Sequence, residues 1–267
     1  MPTSPIIITG ASSGMGKAAA LQLAQLGHPL VLLLHDGQKG RDAHAEIVQR
    51  SGNRAVELEH ADLASQADIG AAAARILERH KRLAGFIANA GAHFSERTLS
   101  PDGLEMTLAI NHLAPFLLTN LLHDALKAHG AARIVLTASS LQFPFDFADY
   151  NRDRAYDGYR VYGQTKLANV QFTFAPARRL EGITVNCLAP GLVRTDIYRR
   201  TRGAPASSHT RYWRRSWPHP KKPAKNSSAS PPILPRRKHA ASISSITNRA
   251  APSPPPMTKP PRNSSGR

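Results

Sequence analysis

Cysteine is nearly absent from this chain of 267 residues: Cys187 stands alone. One thiol excludes an internal disulfide and a thiolate metal cluster, and it fits a reducing, cytoplasmic setting. Aromatic residues are few, at 6%. No apolar run approaches the ~18 residues that a membrane-crossing helix needs, so no membrane partner is expected. The start of the chain shows no basic region followed by an apolar run, and no signal peptide is read there. There are 12 histidines, but none pairs at ligand spacing with a third ligand beside it. No metal site is expected.

Acidic residues are missing from the end of the chain. From Thr201 onward there are 14 Lys and Arg and no Asp or Glu. The net charge of +17 therefore belongs to that stretch, because the first 200 residues hold 21 basic and 18 acidic side chains, a net of +3. The same stretch holds 13 of the 21 prolines. Ser, Pro, Lys and Arg dominate it without a helical or strand period, which is the composition of a disordered basic segment. A basic tail is one route to nucleic acid, and steep salt dependence would reveal it. This tail carries no nucleic-acid-binding motif, so no such partner is expected. The chain thus divides into a patterned core, residues 1–202, and a tail, residues 203–267.

What is present in the core is regular alternation. Ile6-Ile7-Ile8 reads as a buried strand ending in Thr9-Gly10. A helix over Ala18 to Leu26 is closed by Gly27. Further strands are expected at Pro29–Leu34, Ala55–Leu58, Gly85–Ala88, Ile134–Leu136 and Thr184–Leu188. Helices are expected at Lys39–Arg50, Ser65–His80, Asp102–Ala128 with a kink at Pro115, and Val161–Leu180 with its last turns disturbed by Pro176. Such alternation predicts an α/β fold: a doubly wound parallel sheet of Rossmann type, with helices on both faces.

Three motifs carry chemistry. Gly10, Gly14 and Gly16 surround Ser12, Ser13 and Met15 between the first strand and helix. Glycines there let the backbone approach a pyrophosphate, and the helix N-terminus offers N–H groups to it. Tyr162 and Lys166 stand four apart on one helix face. A nearby ammonium lowers a phenol's pKa and makes it a usable acid/base, although a solvated Tyr/Lys pair has the same spacing. Ser139 and Ser140 follow a strand end, where such sheets place ligands. A serine there is either a donor to a carbonyl oxygen or an ordinary turn residue.

In this order the motifs resemble the short-chain dehydrogenase/reductase family over roughly residues 5 to 200. Supporting segments are Asp62-Leu63, Asn89-Ala90-Gly91, Asn111-His112-Leu113, and Pro190-Gly191 with Thr195. The segments around Lys39-Gly40, Asp102 to Leu122 and Tyr162 to Val170 are most similar to the retinol-dehydrogenase and WW-domain-oxidoreductase branch. The resemblance implies an NAD(P)-dependent oxidoreductase acting on a small alcohol or carbonyl substrate. It makes Tyr162 the general acid/base and has Lys166 bind the nicotinamide ribose. Ser139, preferred over Ser140 from its spacing to Arg133, would polarise the carbonyl, and Asn111 would hold a water in a proton relay. Gly10, Gly14 and Gly16 would cradle the pyrophosphate, with Asp62 near the adenine and Asn89 near the adenosine ribose. A homo-oligomer built on the long helices would also fit the family.

The sequence departs from the family's pattern at Ala88, where asparagine is usual, and at the end of the second strand. Leu34 replaces an acidic residue that would bind the NAD 2′-hydroxyl. His35 stands where the branch commonly has an arginine for the NADP 2′-phosphate, which favours NADP; Asp36 offers a route to the ribose and NAD. The family's last strand and helix are replaced by the basic tail, so a seventh strand is expected to be missing. A catalytically impaired dinucleotide-binding pseudoenzyme is the alternative reading. The tail itself is read as a frameshift. Ser242-Ile-Ser-Ser-Ile-Thr247 re-decodes one base earlier as Lys-Tyr-Phe-Phe-Asn-Asn, and Met257-Thr-Lys-Pro260 as Tyr-Asp-Glu-Ala, both resembling the family's C-terminal elements. A coding sequence in which no single-base change restores that reading overturns it.

Overall fold

The computed structural model describes residues 4–35 and 37–191, the side chains of residues 176–179 excepted. Asp36, Thr195, the tail and the expected loss of a seventh strand all lie outside the described residues.

Six strands form one sheet: β1 (Ile6–Thr9), β2 (Leu30–Leu34), β3 (Val56–His60), β4 (Gly85–Ala88), β5 (Ala132–Thr137) and β6 (Ile183–Leu188). Their order is β3-β2-β1-β4-β5-β6, and every pairing is parallel. The chain reverses direction across the sheet between β1 and β4, which opens a crevice at their carboxyl ends. This is the expected doubly wound architecture.

The apolar runs explain the layering. Successive side chains on a strand face opposite sides. Ile7, Val31, Leu33 and Phe86 bury one face against α3 (Gln66–Arg79), α5 (Ala114–Leu121) and α6 (His123–His129), through Ile69, Ile76, Leu118 and Leu126. Ile8, Leu30, Leu32 and Leu34 bury the other face against α1 (Gly14–Gln25) and α2 (Gln38–Ser51), through Ala20, Leu23 and Ile47. All five residues of β2 are buried, as a central parallel strand requires.

Two expected elements differ. The helix anticipated from Asp102 begins at Met106 instead, as the short α4 (Met106–Leu108). Gly103 takes φ +74° in a turn, and Leu99 bridges Glu105, so the chain reverses before the helix starts. Beyond α4 the helix widens into a π turn, Ala109–Leu113, and then continues as α5 with Pro115 in its first turn. The last described helix, α7 (Gly158–Arg179), runs through Pro176 without interruption.

Candidate active site

A cleft of about 370 Å³ lies at the carboxyl ends of the strands. The β1–α1 loop supplies Gly10, Ser12, Ser13, Gly14 and Met15 to its wall. Leu34, His35 and Lys39 come from the end of β2 and the start of α2, and Asp62 and Leu63 follow β3. Asn89 to Ala92 follow β4, and Ile110 is contributed by the π turn. Thr137 to Leu141 follow β5, Pro190 and Gly191 follow β6, and Tyr162 and Lys166 project from α7.

The glycine loop is built by close approach. Gly10 has φ +71°, and a Cβ on it would stand 2.7 Å from the Cα of Ala90. The side chain of Ser13 makes no capping hydrogen bond to α1, so the N–H groups of the first turn are not engaged by a side-chain cap. Such a terminus suits an anion. Gly16 is not on the wall. A Cβ there would lie 2.3 Å from both Asn89 Nδ2 and the Gly10 carbonyl, so glycine there lets α1 pack on the loop. Asn89 joins the two loops: its Nδ2 donates to the carbonyls of Thr9 at 3.4 Å and Gly10 at 3.3 Å. The Thr9 hydroxyl in turn accepts from the N–H groups of Asn89 and Ala90, both at 3.1 Å.

Tyr162 and Lys166 are both buried, and the Lys166 ammonium sits 5.4 Å from the centre of the Tyr162 ring. Burial lowers the Lys166 pKa to about 8. Ser139 is half-buried and Ser140 exposed. The Ser139 hydroxyl accepts from the N–H of Leu141 at 3.1 Å, leaving its proton available to a ligand oxygen.

Asn111 lies behind the wall rather than on it. Its Oδ1 accepts from the Ala92 N–H at 2.8 Å, and its Nδ2 donates to the Ala92 carbonyl at 3.0 Å and to Thr165 Oγ1 at 3.2 Å. Asp62 faces both ways: it lines the cleft, and its carboxylate accepts from the N–H of Ala64 at 2.9 Å.

Several residues at the site went unread in the sequence. His93 is buried with its ring edge-on to Tyr162, the centroids 6.1 Å apart. Thr165 donates to the Tyr162 carbonyl at 2.7 Å. Arg152, at φ +56°, hydrogen-bonds Gln164 and Asp146, and Gln164 donates to the Pro144 carbonyl at 2.7 Å. The His93 and Gln164 contacts join residues far apart in the chain, and the short-range Thr165–Tyr162 bond is one that any helical threonine can make, so no local pattern marks these residues. Pro115, four residues after Asn111, was the one readable signal for the π turn.

Among the described residues, no group of three or more His, Cys, Asp or Glu is placed to hold a metal ion. No described helix is long and apolar enough to cross a membrane.

The fold and the site together define a class. The short chain dehydrogenase family profile matches residues 4–205, and the chain belongs to that family. Human retinol dehydrogenase 13 is 41% identical over 206 residues, which cover 75% of this chain and 62% of that protein. Mouse retinol dehydrogenase 14 is 38% identical over 208 residues, covering 73% and 62%. The chain therefore spans about three fifths of the length of these relatives. Among solved structures, a short-chain dehydrogenase from Sphingobium yanoikuyae in complex with NADPH superposes with a TM-score of 0.62 at 30% identity, covering 74% of each chain.

Proposed function

We propose that the chain is an NAD(P)-dependent oxidoreductase that interconverts an alcohol and a carbonyl, with Tyr162 as general acid/base and NADP preferred. The observation that carries this reading is the buried Tyr162–Lys166 pair in the same cleft as the glycine loop. The residues fit a dinucleotide: glycine lets the β1–α1 loop pack on Ala90 at the mouth of the cleft, and the first turn of α1, with no side-chain cap, would receive the pyrophosphate. When bound, a nicotinamide supplies or takes the hydride.

The roles of the chain's own groups follow. Lys166 holds a positive charge beside the phenol and favours its ionised form. Tyr162 moves the proton to or from the substrate oxygen. Ser139 donates to the same oxygen and stabilises charge that develops there. Lys39 and His35 line the cleft at the end of β2 and the start of α2, and they would be the residues to hold a 2′-phosphate. Asp62 and Leu63 would hold the adenine, and Pro190 and Gly191 the nicotinamide end. This activity is assigned to the core, residues 1–202, supported by the family match. The single free cysteine supports a cytoplasmic setting.

Titration of the purified chain with NADPH and NADH, followed by turnover with a panel of aldehydes and ketones, tests the reading. NADPH should bind more tightly, and Tyr162→Phe should lower turnover by roughly a hundredfold or more while keeping NADPH affinity. Turnover that survives Tyr162→Phe would reject the acid/base role. Binding without any turnover would mark a dinucleotide-binding protein that has lost catalysis.

A further inference from the structure

The π turn behind the cleft has a cause in the sequence. In an α-helix the carbonyl of Asn111 would accept from the N–H of residue 115. Residue 115 is proline and has none. Asn169 of α7 supplies a donor instead: its Nδ2 meets the Asn111 carbonyl at 2.9 Å, in the interior. Asn169 is only 2% exposed.

That bond orients the next one. A carbonyl can only accept, so the amide nitrogen of Asn169 faces Asn111 and its Oδ1 faces away. There Oδ1 lies 2.9 Å from Nδ1 of His112. An amide oxygen brings no proton, so Nδ1 carries it. The ring of His112 packs beside Phe116 and Phe172, at centroid distances of 6.5 and 6.2 Å. Burial lowers its pKa and so favours the neutral ring, against a smaller opposing effect of the Asn169 bond.

The inner end of this chain of bonds reaches the reacting groups. Asn111 clamps the main chain of Ala92 through two hydrogen bonds and also donates to Thr165. Ala92 continues the Asn89–Gly91 wall, and Thr165 stands between Tyr162 and Lys166 on α7. One asparagine thus sets the spacing between the cofactor-side loop and the acid/base helix.

We propose that His112 and Asn169 are positioning residues: they hold the π turn so that Asn111 keeps the Asn89–Ala92 loop and the Tyr162–Lys166 helix in register. The use of that register rests on the oxidoreductase reading above. The arrangement of the bonds does not.

The test has two arms on the full chain. Long-range 15N–1H spectra of the 15N-histidine-labelled protein report the His112 tautomer, assigned by the signal lost in His112→Asn. A neutral Nδ1–H ring at pH 7, lost in Asn169→Leu, is the expected result. An Nε2–H ring or an imidazolium at pH 7 overturns the proposal. The second arm is kinetic. In His112→Leu, kcat should fall about tenfold to a hundredfold, as a displaced reacting group implies, with the Kd for NADPH within about twofold of wild type. His112→Asn, whose amide nitrogen stands where Nδ1 does, should recover kcat to within about threefold of wild type. Equal kcat in the Leu and Asn variants overturns the proposal. Absence of wild-type turnover rejects the oxidoreductase reading alone, and the tautomer then decides the placement. It also decides if His112→Leu does not fold.

Discussion

The ammonium of Lys166 donates to the main-chain carbonyl of Thr137 at 2.9 Å, tying α7 to the last residue of β5. This bond brings a long cationic side chain into the interior, where it is 2% exposed. Anchored between strand end and phenol, the charge has little freedom to move away from Tyr162.

That burial predicts a pH signature. Folded Lys166 keeps its proton only up to about pH 8, against an ordinary value of 10.5 in the unfolded chain. Between those limits the unfolded chain binds more protons, so stability rises with pH. Below pH 8 the full burden is present, on the order of 3 kcal/mol at pH 7. Urea denaturation of wild type and Lys166→Met at pH 7 and pH 10 isolates it. The variant should lack the rise that wild type shows. Parallel curves would mean that Lys166 is solvated in the folded chain.

Gly16 gives a steric prediction. In Gly16→Ala the new methyl meets the Gly10 carbonyl and Asn89 Nδ2, both at 2.3 Å. A backbone oxygen cannot swing aside, so the β1–α1 loop must move, at a cost of about 1–3 kcal/mol. NADPH affinity should drop about tenfold or more, since 1.4 kcal/mol is tenfold in affinity. Gly70→Ala in α3 is the matched control, with nothing within 4 Å of its Cβ. It should raise stability by up to about 1 kcal/mol and leave NADPH binding alone. A Gly16→Ala protein that binds NADPH as wild type does would remove Gly16 from the site's architecture.

The fold was legible because its signals are local. Ile6–Ile8, Leu30–Leu34 and Phe86 are apolar runs that only a two-sided parallel sheet can bury, and Gly27 and Gly52 stop their helices. The site's outer shape was legible for the same reason, because strand ends converge wherever the sheet forms. What stayed hidden depends on partners far apart in the chain. The ring contact of His93 with Tyr162 and the Asn169–Asn111 bond exist only once α7 has docked on the π turn. Pro115 suggests a kink in one long helix, yet its missing N–H acts four residues earlier, at Asn111. Pro176 does not disturb the last turns as its residue type suggests, since α7 continues past it to Arg179.

Lys39 provides the cofactor prediction. It lines the cleft together with His35 and the glycine loop. Lys17, one turn into α1, is ion-paired with Glu46. In Lys39→Glu a carboxylate would face the 2′ position and repel a phosphate. NADPH affinity should fall about tenfold or more, with NADH affected far less, and the NADPH loss should shrink at high salt. Fluorescence titrations of both cofactors at two ionic strengths measure this. Equal losses for the two cofactors would place Lys39 away from the 2′ group.

Gly163 gives a prediction about the loop after β5. It follows Tyr162 directly, and a Cβ on it would stand 2.5 Å from Cδ2 of Phe143 and 3.4 Å from Cγ of Leu141. Leu141 lines the cleft, and the Phe143 N–H donates to the Gly163 carbonyl at 3.3 Å. The obstacle is the ring of a side chain, so Gly163→Ala should displace the loop after β5 rather than unfold α7. Substrate KM should rise about threefold to tenfold, the consequence of roughly 1 kcal/mol of overpacking, with NADPH affinity within about twofold. Removing the obstacle in the double variant Gly163→Ala, Phe143→Ala should bring KM back toward that of Phe143→Ala alone. Contacting residues show such non-additivity and independent ones do not. Additive effects on KM would therefore mean that the methyl acts on Tyr162 itself and not through Phe143.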